Sequence, residues 1–224
     1  MRVIIRCAGE AKPWGDFLGG PPHLAPICGE PVLHRTVRLV REFTPDADIR
    51  IVVRDRDKRN ILEGTARAFD KPQPERGAVD VIASSAHLWD KKDRTVLLFG
   101  DTWWSRPALR SILTEPVDGW GAWLRMFGGA GELFGFALLP EAHDLFRAAI
   151  DTVVAEHQAG RLGNIPGQWA LYRALCGKPL TVHDVWGNAH QVSVDDWTDD
   201  FDYPRDWHHW CYRWATTPAE RRPD

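Results

Sequence analysis

Val96-Leu97-Leu98-Phe99 runs straight into Gly100-Asp101, and that junction constrains the chain more than any other stretch. Four apolar residues in a row read as a strand buried on both faces. Gly lets the backbone turn tightly. Asp then places a carboxylate just past the strand's carboxyl end, where ligands sit in open α/β sheets. A carboxylate there can hold a divalent cation, and a cation there can hold a diphosphate. The same Asp can equally cap the turn or helix that follows. Two segments at the ends of the chain favour the first use.

The 224 residues suffice for one large α/β domain, or one domain with a small appendage. A net charge of −3 supplies no overall basic field for gripping phosphate backbones, which argues against a dedicated nucleic-acid-binding module. Cys7, Cys28, Cys176 and Cys211 are scattered, without a C-x-x-C pair, so neither a zinc site nor a disulfide framework is signalled. No apolar run reaches the length of a membrane span, and the first residues enter a strand directly. The expectation is a cytoplasmic protein with reduced thiols and no membrane partner. The 12 tryptophans can serve as core filler or as stacking platforms for sugars and bases.

Arg2–Arg6 reads as a first strand that breaks into the small-residue loop Cys7-Ala8-Gly9-Glu10-Ala11-Lys12. Such a loop can aim N–H groups at phosphate. Gly15 to Pro22 stay irregular, and Gly29-Glu30-Pro31 opens a helix whose stripe is Leu33, Thr36, Val37, Val40 and Phe43. Ile49–Val53 reads as a second strand, followed by a polar helical stretch through Arg67 in which Asp55 to Arg59 form a solvated face. Asp80–Ala83 is expected as a short third strand before the central one. This alternation implies a mainly parallel sheet between helical layers.

Beyond Asp101, Trp103 and Trp104 precede a short helix at Ala108–Leu113, then strands over Gly121–Phe127 and Glu132–Leu139, with Glu132 at the mouth of the second. A helix over Glu141–Gln158 is expected to bury Leu145, Ala148, Ala149, Thr152 and Val153. Another should span Pro166–Leu175, with Gly177 ending it. Trp169 and Tyr172 share one of its faces. Leu180–Val185 reads as a late strand, and the end of the chain is rich in Trp and Asp.

Three segments together resemble the nucleotidyltransferase-like branch of the GT-A fold, which groups sugar-phosphate nucleotidyltransferases with related nucleotide-sugar glycosyltransferases. Cys7 to Gly15, with Pro22 to Leu33, is similar to the family's nucleotide loop and its P-K-x-L-x-P-V-x-G-x-P-L-L stretch. Gly100-Asp101 resembles its metal-binding Asp, and Asp200-Phe201-Asp202-Tyr203-Pro204-Arg205-Asp206-Trp207 its D-x-D-T-P-E-D-L close. The resemblance implies a three-layer α/β/α fold with a mainly parallel, mixed sheet. It implies one domain over 1–224, with a nucleotide-binding half at 1–101 and an acceptor half at 102–224. Asp101 and Asp202 become ligands for Mg²⁺ or Mn²⁺, with Asp200 as the alternative second ligand. Cys7, Ala8, Gly9, Glu10 and Gly100 would line the nucleotide.

The departures bear on the reaction. Where the family carries an Arg and a Lys against the α-phosphate, this chain has Pro13 and Pro22, and the loop's second Gly is Ala11. Lys12 could substitute for the first, whereas His23 is shorter than Lys and mostly neutral at pH 7. Two positioned cations are worth several kcal/mol to a phosphoryl transition state. Sugar transfer from a nucleotide sugar, whose chemistry is at the anomeric carbon, does not require them. The favoured expectation is therefore a metal-dependent glycosyltransferase, with Trp103 and Trp104 flanking the sugar or acceptor and Glu132 a base toward an acceptor hydroxyl. Core packing for the tryptophans and a strand-edge charge for Glu132 are the plainer uses. A nucleotidyltransferase using a nucleoside triphosphate, with Lys12 in the Arg's role, is the alternative, and a non-catalytic nucleotide-binding protein a third. The acceptor is not readable; a hydroxylated base in DNA is one of several consistent choices. His87, His183, His190, His208 and His209 lack metal-like spacing and read as ordinary histidines.

Overall fold

The computed structural model describes residues 1–8, 13–53, 66–68, 77–127, 130–162, 167–182 and 187–223. The chain opens on β1 (Arg2–Cys7), folds a small hairpin from β2 (Pro26–Ile27) and β3 (Glu30–Pro31), and enters α1 (Val32–Phe43). It continues through β4 (Asp48–Val53), β5 (Ala66–Ala68), α2 (Gly77–Ser84) and β6 (Thr95–Phe99). β7 (Thr102–Trp103) leads to α3 (Arg106–Thr114), then β8 (Trp120–Phe127), β9 (Ala130–Leu138), α4 (His143–Gln158) and α5 (Gln168–Leu175). β10 (Gln191–Ser193), β11 (Asp199–Asp200) and α6 (Pro204–Thr216) follow.

The main sheet runs β10-β8-β9-β6-β1-β4-β5, and its neighbours are parallel except where β9 meets β6 and β8. The carboxyl ends of β1, β6 and β8 therefore share one edge with the amino end of β9. Alternate side chains of the central strands go to opposite layers. Val3, Ile5, Val96 and Leu98 pack with α1 and α3, while Ile4, Leu97 and Phe99 pack with α2, α4 and α5. Burying each such side chain stabilises the fold by roughly 1.5–3 kcal/mol before entropy is counted. The three-layer, mixed and mainly parallel sheet matches the sequence reading.

A third cluster lies beyond the sheet edge. Trp14, Ala25, Ile27, Val32, Trp103, Phe201 and Trp210 pack together, with Trp197, Trp207 and Trp214 against them. It ties α6 to the first loop, and the Trp207 indole N–H donates to the Pro26 carbonyl at 3.1 Å.

Several local expectations are corrected. Asp80–Ala83 lies in α2, not a strand; a short apolar run has no period that separates the two. Arg67 belongs to β5 rather than to a helix, while Asp55 to Arg59 lie outside the described residues. The buried stripe of α4 is His143, Phe146, Ala149, Ile150 and Val153, so Leu145, Ala148 and Thr152 face solvent. Phe146 out-competes Leu145 because it packs edge-on against Trp89, Trp120 and Phe136. Leu180–Val182 form a turn, and 183–185 lie outside the described residues, as does Pro166. Gly177 does end α5, at φ +63°. The rings of Trp169 and Tyr172 meet edge-on at 5.8 Å.

Candidate active site

The turn after β6 is held by close backbone contact. The Gly100 N–H donates to the Arg6 carbonyl at 2.8 Å. A Cβ at residue 100 would meet the Cys7 Sγ at 2.4 Å and the Arg6 oxygen at 2.7 Å. Only Gly fits there. Asp101 then leaves the sheet, and β7 pairs antiparallel with β11, setting Thr102 opposite Asp200 and Trp103 opposite Asp199. The Asp101 carbonyl accepts the Phe201 N–H at 3.2 Å. Two segments about a hundred residues apart in sequence are thereby fastened side by side.

Ser105 secures the next step. Its hydroxyl oxygen accepts the Ala108 N–H at 3.1 Å, capping α3, while its own proton goes to Asp196. The Ser105 N–H donates to the Thr198 hydroxyl at 3.0 Å, which fixes the chain just before Asp199.

Carboxylates gather at this edge. Glu132, Asp199 and Asp200 each offer an oxygen within 4.8 Å of the others. Asp200 also feels Asp101 and Asp202, and burial followed by the repulsion of Glu132, Asp202, Asp101 and Asp199 holds its carboxyl well above the usual range. Burial, then Asp202, pushes Asp101 up to about 6. Burial, then Asp199, pushes Glu132 up to about 7. Asp202 is raised as well, by desolvation and then Asp206.

Two cations answer them. The Arg6 guanidinium stacks on Phe99 at 4.5 Å, and burial lowers it to about 10 although Asp101 pulls it up. Arg125, at the carboxyl end of β8, donates to the Asp199 carboxylate at 2.6 Å, to Glu132, and to the Thr198 carbonyl at 2.8 Å. Loss of water is the leading cause of each raised carboxyl, and repulsion among the carboxylates adds to it. Oxygen-only donors at this spacing suit a hard divalent cation better than zinc.

Of the residues singled out from sequence, Asp101, Asp200, Asp202 and Glu132 come together at one edge. Cys7 and Gly100 lie beside them, with burial raising the Cys7 thiol, while Ala8 is buried in the cluster under α2, α4 and α5. Gly9, Glu10, Ala11 and Lys12 lie outside the described residues. Trp103 and Trp104 are corrected: their rings are 2% and 0% exposed, in two different clusters, and neither offers a face to a sugar. Trp103 instead carries the Arg35 guanidinium at 4.1 Å and packs on Trp210. Sequence reasoning missed Asp199 as a site group and Arg125 altogether. Asp199 differs from its acidic neighbours only in its pairing, and a single Arg in a strand carries no signal until Glu132 is known to stand opposite it in the register.

No family model matches the sequence, and neither does any curated protein. Solved structures do resemble the chain. A Bacillus anthracis protein designated a glucose-1-phosphate thymidylyltransferase, in complex with a sucrose, superposes with a TM-score of 0.66 at 12% identity, over 97% of this chain and 96% of that one. CTP:phosphocholine cytidylyltransferase from Streptococcus pneumoniae gives 0.59 at 10% identity over 95% and 98%. Rv0371c from Mycobacterium tuberculosis H37Rv gives 0.58 at 16% identity over 94% and 96%. At such identities the likeness establishes the fold, which is nucleotidyltransferase-like.

Proposed function

We propose that this protein is a divalent-metal-dependent transferase acting on a nucleotide-activated donor at the carboxyl edge of the sheet. The observation that carries the reading is the pairing that brings Asp101, from the middle of the chain, beside Asp200 and Asp202 near its end, with carboxyl groups held above their usual range. Surplus negative charge of this kind is tolerated where a cation completes it. A bound Mg²⁺ or Mn²⁺ would neutralise charge on the donor's phosphates.

The protein's own groups divide the remaining work. Gly100, without a Cβ, lets the turn after β6 close against Arg6 and Cys7, where the nucleotide loop of this reading begins. Glu132, near neutrality at about 7, takes the proton of an attacking hydroxyl. Asp101 and Asp202 are the first metal ligands in this reading, and Asp200 stands between them and Glu132.

Between the two reaction classes we favour sugar transfer from a nucleoside-diphosphate sugar. Pro13 and Pro22 stand where a nucleotidyl transfer needs cations. A second reading, nucleotidyl transfer from a nucleoside triphosphate, has the whole-length likeness to two nucleotidyltransferases in its favour. Product chemistry separates them. The chain is incubated with nucleotide sugars or with nucleoside triphosphates and sugar phosphates, each with Mn²⁺ and candidate acceptor hydroxyls, a hydroxylated DNA base among them. Nucleoside diphosphate release supports the first reading, and pyrophosphate release the second. No turnover by the native chain on any donor, with donor affinity indifferent to Mn²⁺, would leave a non-catalytic nucleotide-binding protein.

A further inference from the structure

The trio Glu132, Asp199 and Asp200 has the spacing of a cation site on its own, and it overlaps the set assigned above to the metal. We propose that Arg125 is a resident cation that occupies the Glu132–Asp199 half of the acidic cluster and so keeps a divalent ion off that pair. The inference rests on the metal-dependent reading of the site.

Geometry carries it. One guanidinium nitrogen of Arg125 donates both to Asp199 Oδ1, at 2.6 Å, and to Glu132 Oε2, while the other terminal nitrogen is fixed to the Thr198 carbonyl at 2.8 Å. The side chain is 8% exposed and lies over the Phe134 ring at 5.4 Å. Its backbone is equally constrained, because Arg125 stands opposite Glu132 in the β8–β9 ladder just past a register shift at Trp123/Leu124. A planar, permanently charged fork held at both ends is a fixed charge, not a mobile counter-ion. A divalent ion centred on the trio would lie against that fixed charge, and in a low-dielectric pocket the repulsion is strong.

The consequence for chemistry is a division of labour. A carboxylate that ligates a metal is a poor base. By keeping the metal away from Glu132, Arg125 leaves the carboxylate's other oxygen available to a hydroxyl. Arg125 is thus a positioning residue that sets how many ions the edge takes, and where.

Mn²⁺ binding, read by the loss of the free-ion electron paramagnetic resonance signal, tests this without any turnover assay. The native chain is expected to bind one Mn²⁺, Arg125→Lys one, and Arg125→Met two, the second lost again in Arg125→Met/Asp199→Asn. Because Arg125→Met leaves two carboxylates buried without their cation and can unfold the edge, Asp199→Asn with Arg125 intact provides an independent arm. It should keep one ion with a dissociation constant within about threefold of native, since Asp199 is not a ligand in this scheme. A folded Arg125→Met with one ion at native affinity, or an Asp199→Asn that no longer binds, overturns the assignment. If the native chain binds no Mn²⁺, the metal-dependent reading fails. The role of Arg125 then stands if Arg125→Met gains an ion and falls if it does not.

Discussion

Leu98 is fully buried in one apolar cluster with Leu33, Leu109 and Phe134, whereas Asp101, three residues further on, stands in the field of Asp202 and Asp200. Both belong to the exit of one strand, and both lose water there, the leucine wholly and the aspartate in part. For the leucine that shielding is the source of stability. For the aspartate it is a cost that its neighbours raise further. The fold places the second against the first because the sheet's interior is stable enough to hold a charged edge in shape. Fold and site therefore respond oppositely to the same kinds of perturbation.

The largest expected effect tests the interior. Leu98→Ala removes a side chain with no exposed surface from between α1 and α3, and should destabilise by about 3 kcal/mol, within the range for buried Leu truncations. The loss should be the same with and without Mn²⁺ and at any pH between 5 and 8. A loss that shrank on adding Mn²⁺ would mean that interior and edge are one cooperative electrostatic unit.

Asp101→Asn should act in the opposite direction, by about 2 kcal/mol, on the metal-free protein. The folded-state value of Asp101, about 6, lies above its unfolded value of 3.8, so the folded state prefers the protonated acid. Metal-free stability is full below about pH 4 and declines as pH rises through 6. Glu132, raised to about 7, carries the decline to neutrality. Asp101→Asn should therefore raise the melting temperature at pH 8 and change nothing at pH 4. Saturating Mn²⁺, at about a hundred times its dissociation constant, should return about 2.7 kcal/mol to the native chain at pH 8 and little to the variant. A thermal scan across pH with and without Mn²⁺ reads all of this. A destabilised variant at pH 8 would show that Asp101 is held by hydrogen bonds rather than strained by its neighbours.

The two regions also differed in how far they could be read beforehand. The interior of β6 and the stripe of α1 were legible because unbroken apolar runs and a 3.6-residue period have few alternatives. Asp80 to Ala83 were not, since four residues are too few for a period to discriminate α2 from a strand. On α4 the stripe was misplaced by one residue: Leu145 and Phe146 are both apolar, and only Trp89, Trp120 and Phe136 decide which turns inward. At the edge, Asp101 stood out through its place after the central strand, and the Asp200–Asp202 segment through its resemblance to a family motif. Arg125 did not, because its meaning comes entirely from the register that sets it against Glu132. Trp103 and Trp104 misled for a related reason. Beside a candidate ligand in sequence, both are buried, Trp103 where β7 pairs with β11 and Trp104 in the cluster with α1 and α3.

The smallest effect sharpens the comparison within the acidic tail itself. Asp206 lies four residues beyond Asp202, and by composition the two belong to one run. Their surroundings differ. The Asp206 carboxylate accepts the Tyr203 N–H at 2.7 Å, and the Asp206 N–H donates to the Tyr203 carbonyl at 3.0 Å, closing the first turn of α6 behind Pro204. A negative charge there meets the positive end of the helix dipole and fills an unsatisfied donor. Asp206→Ala should thus destabilise by about 0.5–1 kcal/mol, the sign opposite to Asp101→Asn, and Mn²⁺ should alter the loss only slightly. The effect stays small because Asp206 also raises Asp202, so its removal relieves some strain at the edge while it loosens the helix. Urea denaturation at pH 8 resolves a difference of this size through the midpoint. Stabilisation instead of loss would place Asp206 with the crowded carboxylates, and the boundary between the two kinds of acidic residue would move past the start of α6.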